Sequence, residues 1–223
     1  MDTANEPAAD ILLMADPRVA AVPVHDCGEE LVDVRSCGTL SLSAFRADDL
    51  GDFGQVRAGV LDRLARAGQA LPAGLRLFIV EGYRPPALQR QYFDDYLGSL
   101  RAANPVADEP WLRMAASRYV SPPELAPHSA GAAVDLTLCT DDGRELDLGT
   151  RVNATPEESE GMCYTDPPGL DGRARHSRGV LAAALHSVGF VNYPTEWWHW
   201  SYGDRYWAIR TTAPAAIYGP CTR

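Results

Sequence analysis

Apolar and polar positions follow two different rhythms along this chain, and the switches between them mark out its elements. The first twenty residues follow neither rhythm and read as a loose, acidic leader; Leu31-Val32-Asp33-Val34 then alternates as a strand does. From Asp52 to Ala70, Phe53, Val56, Val60, Leu61 and Leu64 recur at helical spacing, and Leu71-Pro72-Ala73-Gly74 supplies the stop. Leu75 to Glu81 alternates briefly and then turns wholly apolar, the pattern of a mostly buried central strand. Gly82-Tyr83-Arg84-Pro85-Pro86 forces a turn, which places Arg84 at the carboxyl end of that strand. Helical periodicity resumes over Ala87 to Arg101 and again over about Glu109 to Tyr119, closed by Ser121-Pro122-Pro123. Pro127 to Leu138 reads as a loop feeding a strand, with a turn at Asp141-Asp142-Gly143 and a returning strand near Leu146.

Residues 152–170, rich in Pro, Glu and Gly, are too long for a plain connector and suit a flap over a site. A last helix is predicted from about Arg173 to Val188, capped by Gly189, before Phe190-Val191-Asn192-Tyr193 and the heptapeptide Pro194-Thr195-Glu196-Trp197-Trp198-His199-Trp200. With no internal repeat and no linker, this organisation predicts one domain over residues 21–223 behind a leader of residues 1–20.

Composition narrows the function. A formal net charge of -10 argues against nucleic acid or an anionic membrane as partner. All 20 basic residues are Arg, so neither a lysine Schiff base nor a Walker-type phosphate loop can form; positive charge at a site must come from Arg, His or a metal. No apolar run near the N-terminus is long enough for a signal core or a membrane span, so a cytoplasmic protein is expected. The five cysteines are widely spaced, without a C-x-x-C pair, and read as reduced thiols.

The heptapeptide draws the eye because it sets a carboxylate and an imidazole among three indoles. Such a segment is expected to be buried, and a buried Glu and His need partners. A metal ion would supply one; an aromatic core strand with Glu196 and His199 on its wet face is the plain alternative. Upstream, His128 and Asp135 lie seven residues apart with Gly131 between them, so a loop His and a strand Asp can converge, and His199 can be a third ligand. Two imidazoles and a carboxylate with a vacant fourth position describe a catalytic zinc site, whereas structural zinc is normally closed by four ligands.

Three segments together, Glu81-Gly82-Tyr83-Arg84-Pro85, His128-Ser129-Ala130-Gly131-Ala132-Ala133-Val134-Asp135-Leu136-Thr137-Leu138 and Glu196-Trp197-Trp198-His199, resemble the signature segments of the zinc D-alanyl-D-alanine dipeptidases. The likeness runs in order from about Leu31 to Tyr206. It implies a small α+β fold with a central antiparallel sheet flanked by helices and the zinc site at the sheet, a fold shared with zinc D,D-carboxypeptidases and the hedgehog signalling domain. It further implies one Zn2+ per chain on His128, Asp135 and His199, Glu196 as general base, Arg84 as oxyanion stabiliser, and a small peptide as substrate. Glu81, Tyr83, Ser129, Asn153 and Trp198 are expected to contact that substrate.

This chain departs from the family pattern around the substrate. Ala126 stands where the zinc motif carries Ser, Glu81 where Asp is frequent, and Val152-Asn153 where the dipeptidases carry Phe-Asp. A carboxylate that could meet a dipeptide's ammonium is therefore gone, unless Glu157, Glu158 or Glu160 replaces it. Two other activities stay open: a D,D-carboxypeptidase or tailoring amide hydrolase on the same site, and a zinc-holding module without turnover. One geometric conflict also stands, because a regular strand puts Glu196 and His199 on opposite faces. Pro194 points to a bend at Glu196 that would bring both to one ion. His25, His176, His186 and Cys163 read as ordinary side chains.

Overall fold

The computed structural model describes residues 11–221. Five strands form the central sheet: β2 (Ser41–Leu42), β4 (Leu75–Glu81), β5 (Ala133–Thr140), β6 (Val191–Tyr193) and β7 (Glu196–Ser201), in the order β2-β4-β5-β7-β6. All neighbours are antiparallel except the short edge pair β2 and β4. A separate antiparallel pair joins β1 (Leu31–Asp33) to β3 (Gln55–Arg57). Helices flank the sheet, so the α+β architecture that the sequence implies is present.

The central strands owe their place to composition. In β5 every residue but the last is buried, as expected for a strand covered on both faces. Helix α2 (Ala58–Gln69) turns Val60, Leu64 and Ala67 onto the sheet, and α5 (Gly172–His186) contributes Leu181, Ala184 and Leu185 to the same core. Gly189, at φ 89°, ends the α5 turn in the left-handed conformation that favours glycine. Helices α3 (Pro86–Ala103) and α4 (Glu109–Ala116) pack on each other through Phe93, Leu100 and Leu112 and form a lobe beside the sheet.

Three expectations need correction. The leader is not loose from residue 11 onward: Leu13, Met14 and Val19, the last in α1 (Pro17–Ala20), are buried against Tyr193 and Tyr206 of β6 and α6 (Arg205–Thr211). The Met14 amide donates to the Tyr193 hydroxyl at 2.8 Å, so this segment is bolted to the far end of the chain. Residues 1–10 of the expected leader lie outside the described residues. The helix expected from Asp52 begins only at Ala58; Asp52–Gly54 form a 3-10 turn and Gln55–Arg57 a strand. Long-range pairing overrides the helical pattern there, since the Phe53 and Gln55 carbonyls accept the Gly82 and Tyr83 amides at 2.6 Å each. The return after Asp141-Asp142-Gly143 is a single bridge between Cys139 and Glu145 rather than a strand.

Candidate active site

Strand register assembles the site. Asp135 of β5 is the direct partner of Glu81 in β4 on one side and of His199 in β7 on the other, so the three residues stand in one file across the sheet. Cross-strand partners present their side chains to the same face. His128 arrives from the 3-10 turn His128–Ala130, which ends on Gly131 at φ 63°. Gly131 is favoured because the turn needs left-handed backbone; a Cβ there would in addition push the tip of the Leu31 side chain aside.

Three atoms converge in the buried centre. Asp135 Oδ1 lies 3.0 Å from His199 Nδ1 and 3.3 Å from His128 Nε2, and the two imidazole nitrogens are 3.2 Å apart. His128 Nδ1 donates to the Gly82 carbonyl at 2.6 Å, which leaves its Nε2 with a lone pair. Two imidazole nitrogens and a carboxylate oxygen this close together are a donor set that a shared cation would reconcile. Tetrahedral ligands about 2.0 to 2.1 Å from zinc would stand roughly 3.3 to 3.4 Å apart, close to this triangle. His128, Asp135 and His199 could therefore hold a metal ion. Burial disfavours the Asp135 carboxylate, but the two imidazoles outweigh it and hold the group well below the usual carboxylate range. Burial lowers His199, against the pull of Asp135, and so keeps a neutral ligand available.

The conflict between Glu196 and His199 is resolved by a bulge. Asn192 of β6 pairs with Trp200, yet the next residue, Tyr193, pairs with Glu196, so Trp197, Trp198 and His199 bow out between two consecutive pairings. A regular two-residue alternation is broken there, and Glu196 Oε2 comes within 3.9 Å of His199 Nδ1. The turn through Pro194 is real, but the bulge does the reorienting. It frees backbone carbonyls, and the Asn192 side-chain amide caps them, donating to the oxygens of His199 at 2.9 Å and Glu196 at 3.0 Å. Burial, with the Asp135 charge next, pushes the Glu196 carboxyl well above its ordinary pKa.

Arg84 closes the base of the site. Its Nε and Nη2 donate to the two oxygens of Glu81 at 2.6 and 2.8 Å, and its Nη1 donates to Gln89 at 2.8 Å. Burial opposes both charges, and the pairing overcomes it: the Glu81 carboxyl is held below its ordinary value and the guanidinium above. Gly82 permits this geometry, since a Cβ there would strike the Gln55 carbonyl.

A family model described as D-ala-D-ala dipeptidase matches residues 60–215. The chain belongs to the D-Ala-D-Ala dipeptidase family. It is thus a metallopeptidase and a hydrolase. A D-alanyl-D-alanine dipeptidase of Synechocystis sp. is 29% identical over 84% of this chain and 87% of its own length. The Escherichia coli protein of that name is 30% identical over 57% of this chain and 55% of its own length, and that of Enterococcus faecium 26% over 60% and 66%.

In this member of the family His128, Asp135, His199, Glu196, Arg84 and Asn153 line one cleft of about 300 Å³, at the small end for ligand sites. The remaining expected contacts lie elsewhere. Glu81 sits behind Arg84; Tyr83 is buried and donates to the Cys221 carbonyl at 2.9 Å; Ser129 donates to the Arg84 carbonyl at 2.9 Å; Trp198 is core. All four brace the site from outside the cleft. The flap reaches the cleft only at Asn153, whose buried Nδ2 has no hydrogen-bond partner. Cys163 is fully buried and burial lifts its thiol to about 11, an unreactive cysteine.

Sequence reasoning missed Arg46, Tyr92, Tyr96 and Tyr119, which also line the cleft, and Asn192, which shapes it from behind. The tyrosines were visible only as helical periodicity. Arg46 lies in a loop with no motif around it. No helix is long and apolar enough to cross a membrane among the described residues.

Proposed function

We propose that this protein is a zinc-dependent peptidase that hydrolyses the amide bond of a D-Ala-D-Ala-type dipeptide, with His128, Asp135 and His199 holding one zinc ion per chain. The substrate class comes from the relatives, which are named D-alanyl-D-alanine dipeptidases. The observation that supports the reading is the triangle of two imidazole nitrogens and a carboxylate oxygen, with a second carboxyl, Glu196, 3.9 Å from one corner.

Zinc, when bound, supplies a water acidified to near neutrality and a Lewis acid for the substrate carbonyl. Glu196 is the general base, taking the water's proton on its carboxylate and passing it to the leaving amine nitrogen. Its raised proton affinity suits the return of that proton, while a bound cation would draw it down enough for the first transfer. Arg84 steadies the oxyanion. Of its five N–H groups three are committed to Glu81 and Gln89, which fixes the guanidinium and leaves one hydrogen on each terminal nitrogen for the developing charge.

A second reading, a D,D-carboxypeptidase, is favoured by one observation. Glu157 accepts from Tyr96 and Arg118, and Glu158 from Arg151, and none of the three flap glutamates, Glu160 included, lines the cleft to meet a substrate ammonium. Two measurements test the site and separate the readings. Glu196→Gln should keep stoichiometric zinc and lose about 10²- to 10⁴-fold in kcat; near-normal turnover excludes the base assignment. Comparison of D-Ala-D-Ala with N-acetyl-D-Ala-D-Ala decides the amino end: a preference for the acetylated peptide of tenfold or more, about 1.4 kcal/mol, would replace the dipeptidase with the carboxypeptidase.

A further inference from the structure

Two guanidinium groups enter the cleft, and the chemistry described so far uses one. Arg46 stands in the loop between β2 and the Asp52–Gly54 turn and lines the cleft beside Arg84. Its side chain is 26% exposed, and its guanidinium lies 5.4 Å from the centre of each of the Phe45 and Tyr92 rings. Those rings hold the cation in place without neutralising it. Its one hydrogen bond among the described residues runs from Nη1 to the Tyr92 hydroxyl at 3.3 Å. Nε is buried without a hydrogen-bond partner, 3.5 Å from a Glu81 oxygen that Arg84 already occupies at 2.8 Å. One carboxylate therefore sits between two arginines, and Arg84 takes its short hydrogen bonds. Arg46 is left with donors free at the cleft, and a guanidinium fork is shaped for a carboxylate.

We infer that Arg46 is a specificity-determining residue that holds the free terminal carboxylate of the substrate, leaving Arg84 to the oxyanion. The catalytic arm of the test rests on the peptidase reading above, and the binding arm does not. In the first, zinc-loaded protein is given D-Ala-D-Ala and its C-terminal carboxamide. The acid should be favoured in kcat/KM by about 30-fold or more, and Arg46→Gln should erase that preference chiefly through KM, with kcat changed about threefold or less. Arg46→Lys, which keeps the charge and loses the fork, should restore part of it. In the second, calorimetry in a Glu196→Gln background should show the acid binding about tenfold or more tighter than the amide, and alike once Arg46→Gln is added. Equal binding of acid and amide before that change overturns the assignment even if peptides are hydrolysed. A preserved binding preference without any turnover by the parent overturns the peptidase reading and leaves Arg46 in its role.

Discussion

The sheet side and the loop side of the cleft are built on different plans. On the sheet side each functional group is fixed by another: His128 by the Gly82 carbonyl, Arg84 by Glu81 and Gln89, and the backbone of Glu196 and His199 by Asn192. On the other side Arg46 rests between aromatic rings, and the Asn153 amide faces the cleft with no partner. Groups that must meet a transition state are oriented before substrate arrives, which avoids reorganisation during the reaction. Groups that recognise the substrate keep their hydrogen-bonding capacity open until it comes, and the difference gives each side its own signature on mutation.

The sheet side breaks hardest at its ligands. Alanine at His128 or His199 should abolish stoichiometric metal and lower kcat/KM by about four decades or more, close to the whole contribution of the metal; metal analysis beside a peptide assay reads both. Arg84→Ala should keep the metal and lose about 10² to 10³ in kcat, the usual loss for one oxyanion donor. If metal content falls as well, Arg84 braces the ligands and the line drawn between positioning and chemistry is misplaced.

A smaller effect is expected at Asn192, which touches no substrate. Asn192→Ala leaves the carbonyls of the bulge without their donor and should destabilise the fold by about 1 to 3 kcal/mol in urea denaturation. A change below about 0.5 kcal/mol would mean that solvent satisfies the bulge, and that the sheet side is less tightly fixed than its hydrogen bonds indicate. The smallest effect is on pH dependence. Because the folded protein holds the Glu81 carboxyl below its ordinary 4.5, the stabilisation is complete above that value and is lost as pH falls through the lowered pKa. The acid limb of a Tm profile should therefore be shallower in Glu81→Gln than in the parent.

The sequence made the convergence of His128, Asp135 and His199 legible because these residue types are rare together and the turns are marked by Gly82, Gly131 and Pro194. Strands β4 and β5 and helices α3 and α5 were legible from periodicity to within a few residues at their ends. The start of α2 was not, since Phe53 and Val56 satisfy a helical pattern while their backbone is claimed by residues some thirty positions away. Asn192 shows a sharper limit. A lone Asn two residues before a Pro looks like turn chemistry, and only the register of β6 against β7 reveals which carbonyls need it. Arg46 is the same case at the cleft, because a loop arginine acquires meaning only from the acid it shares.

The order of strands has a further consequence for how the protein is made. β7, which follows every other strand of this sheet in the chain, lies between β5 and β6, both of which precede it. His199 follows Asp135 by 64 residues, which at about 5 to 20 residues per second is a delay of roughly 3 to 13 s. Through that interval β5 has β4 on one side and nothing on the other, a bare apolar edge of the kind that nascent chains must shield. No chain shorter than β7 can hold all three converging side chains, so a metal could be gripped by all of them only after β7 has emerged, and the strand that completes the site is also the one that seals the sheet.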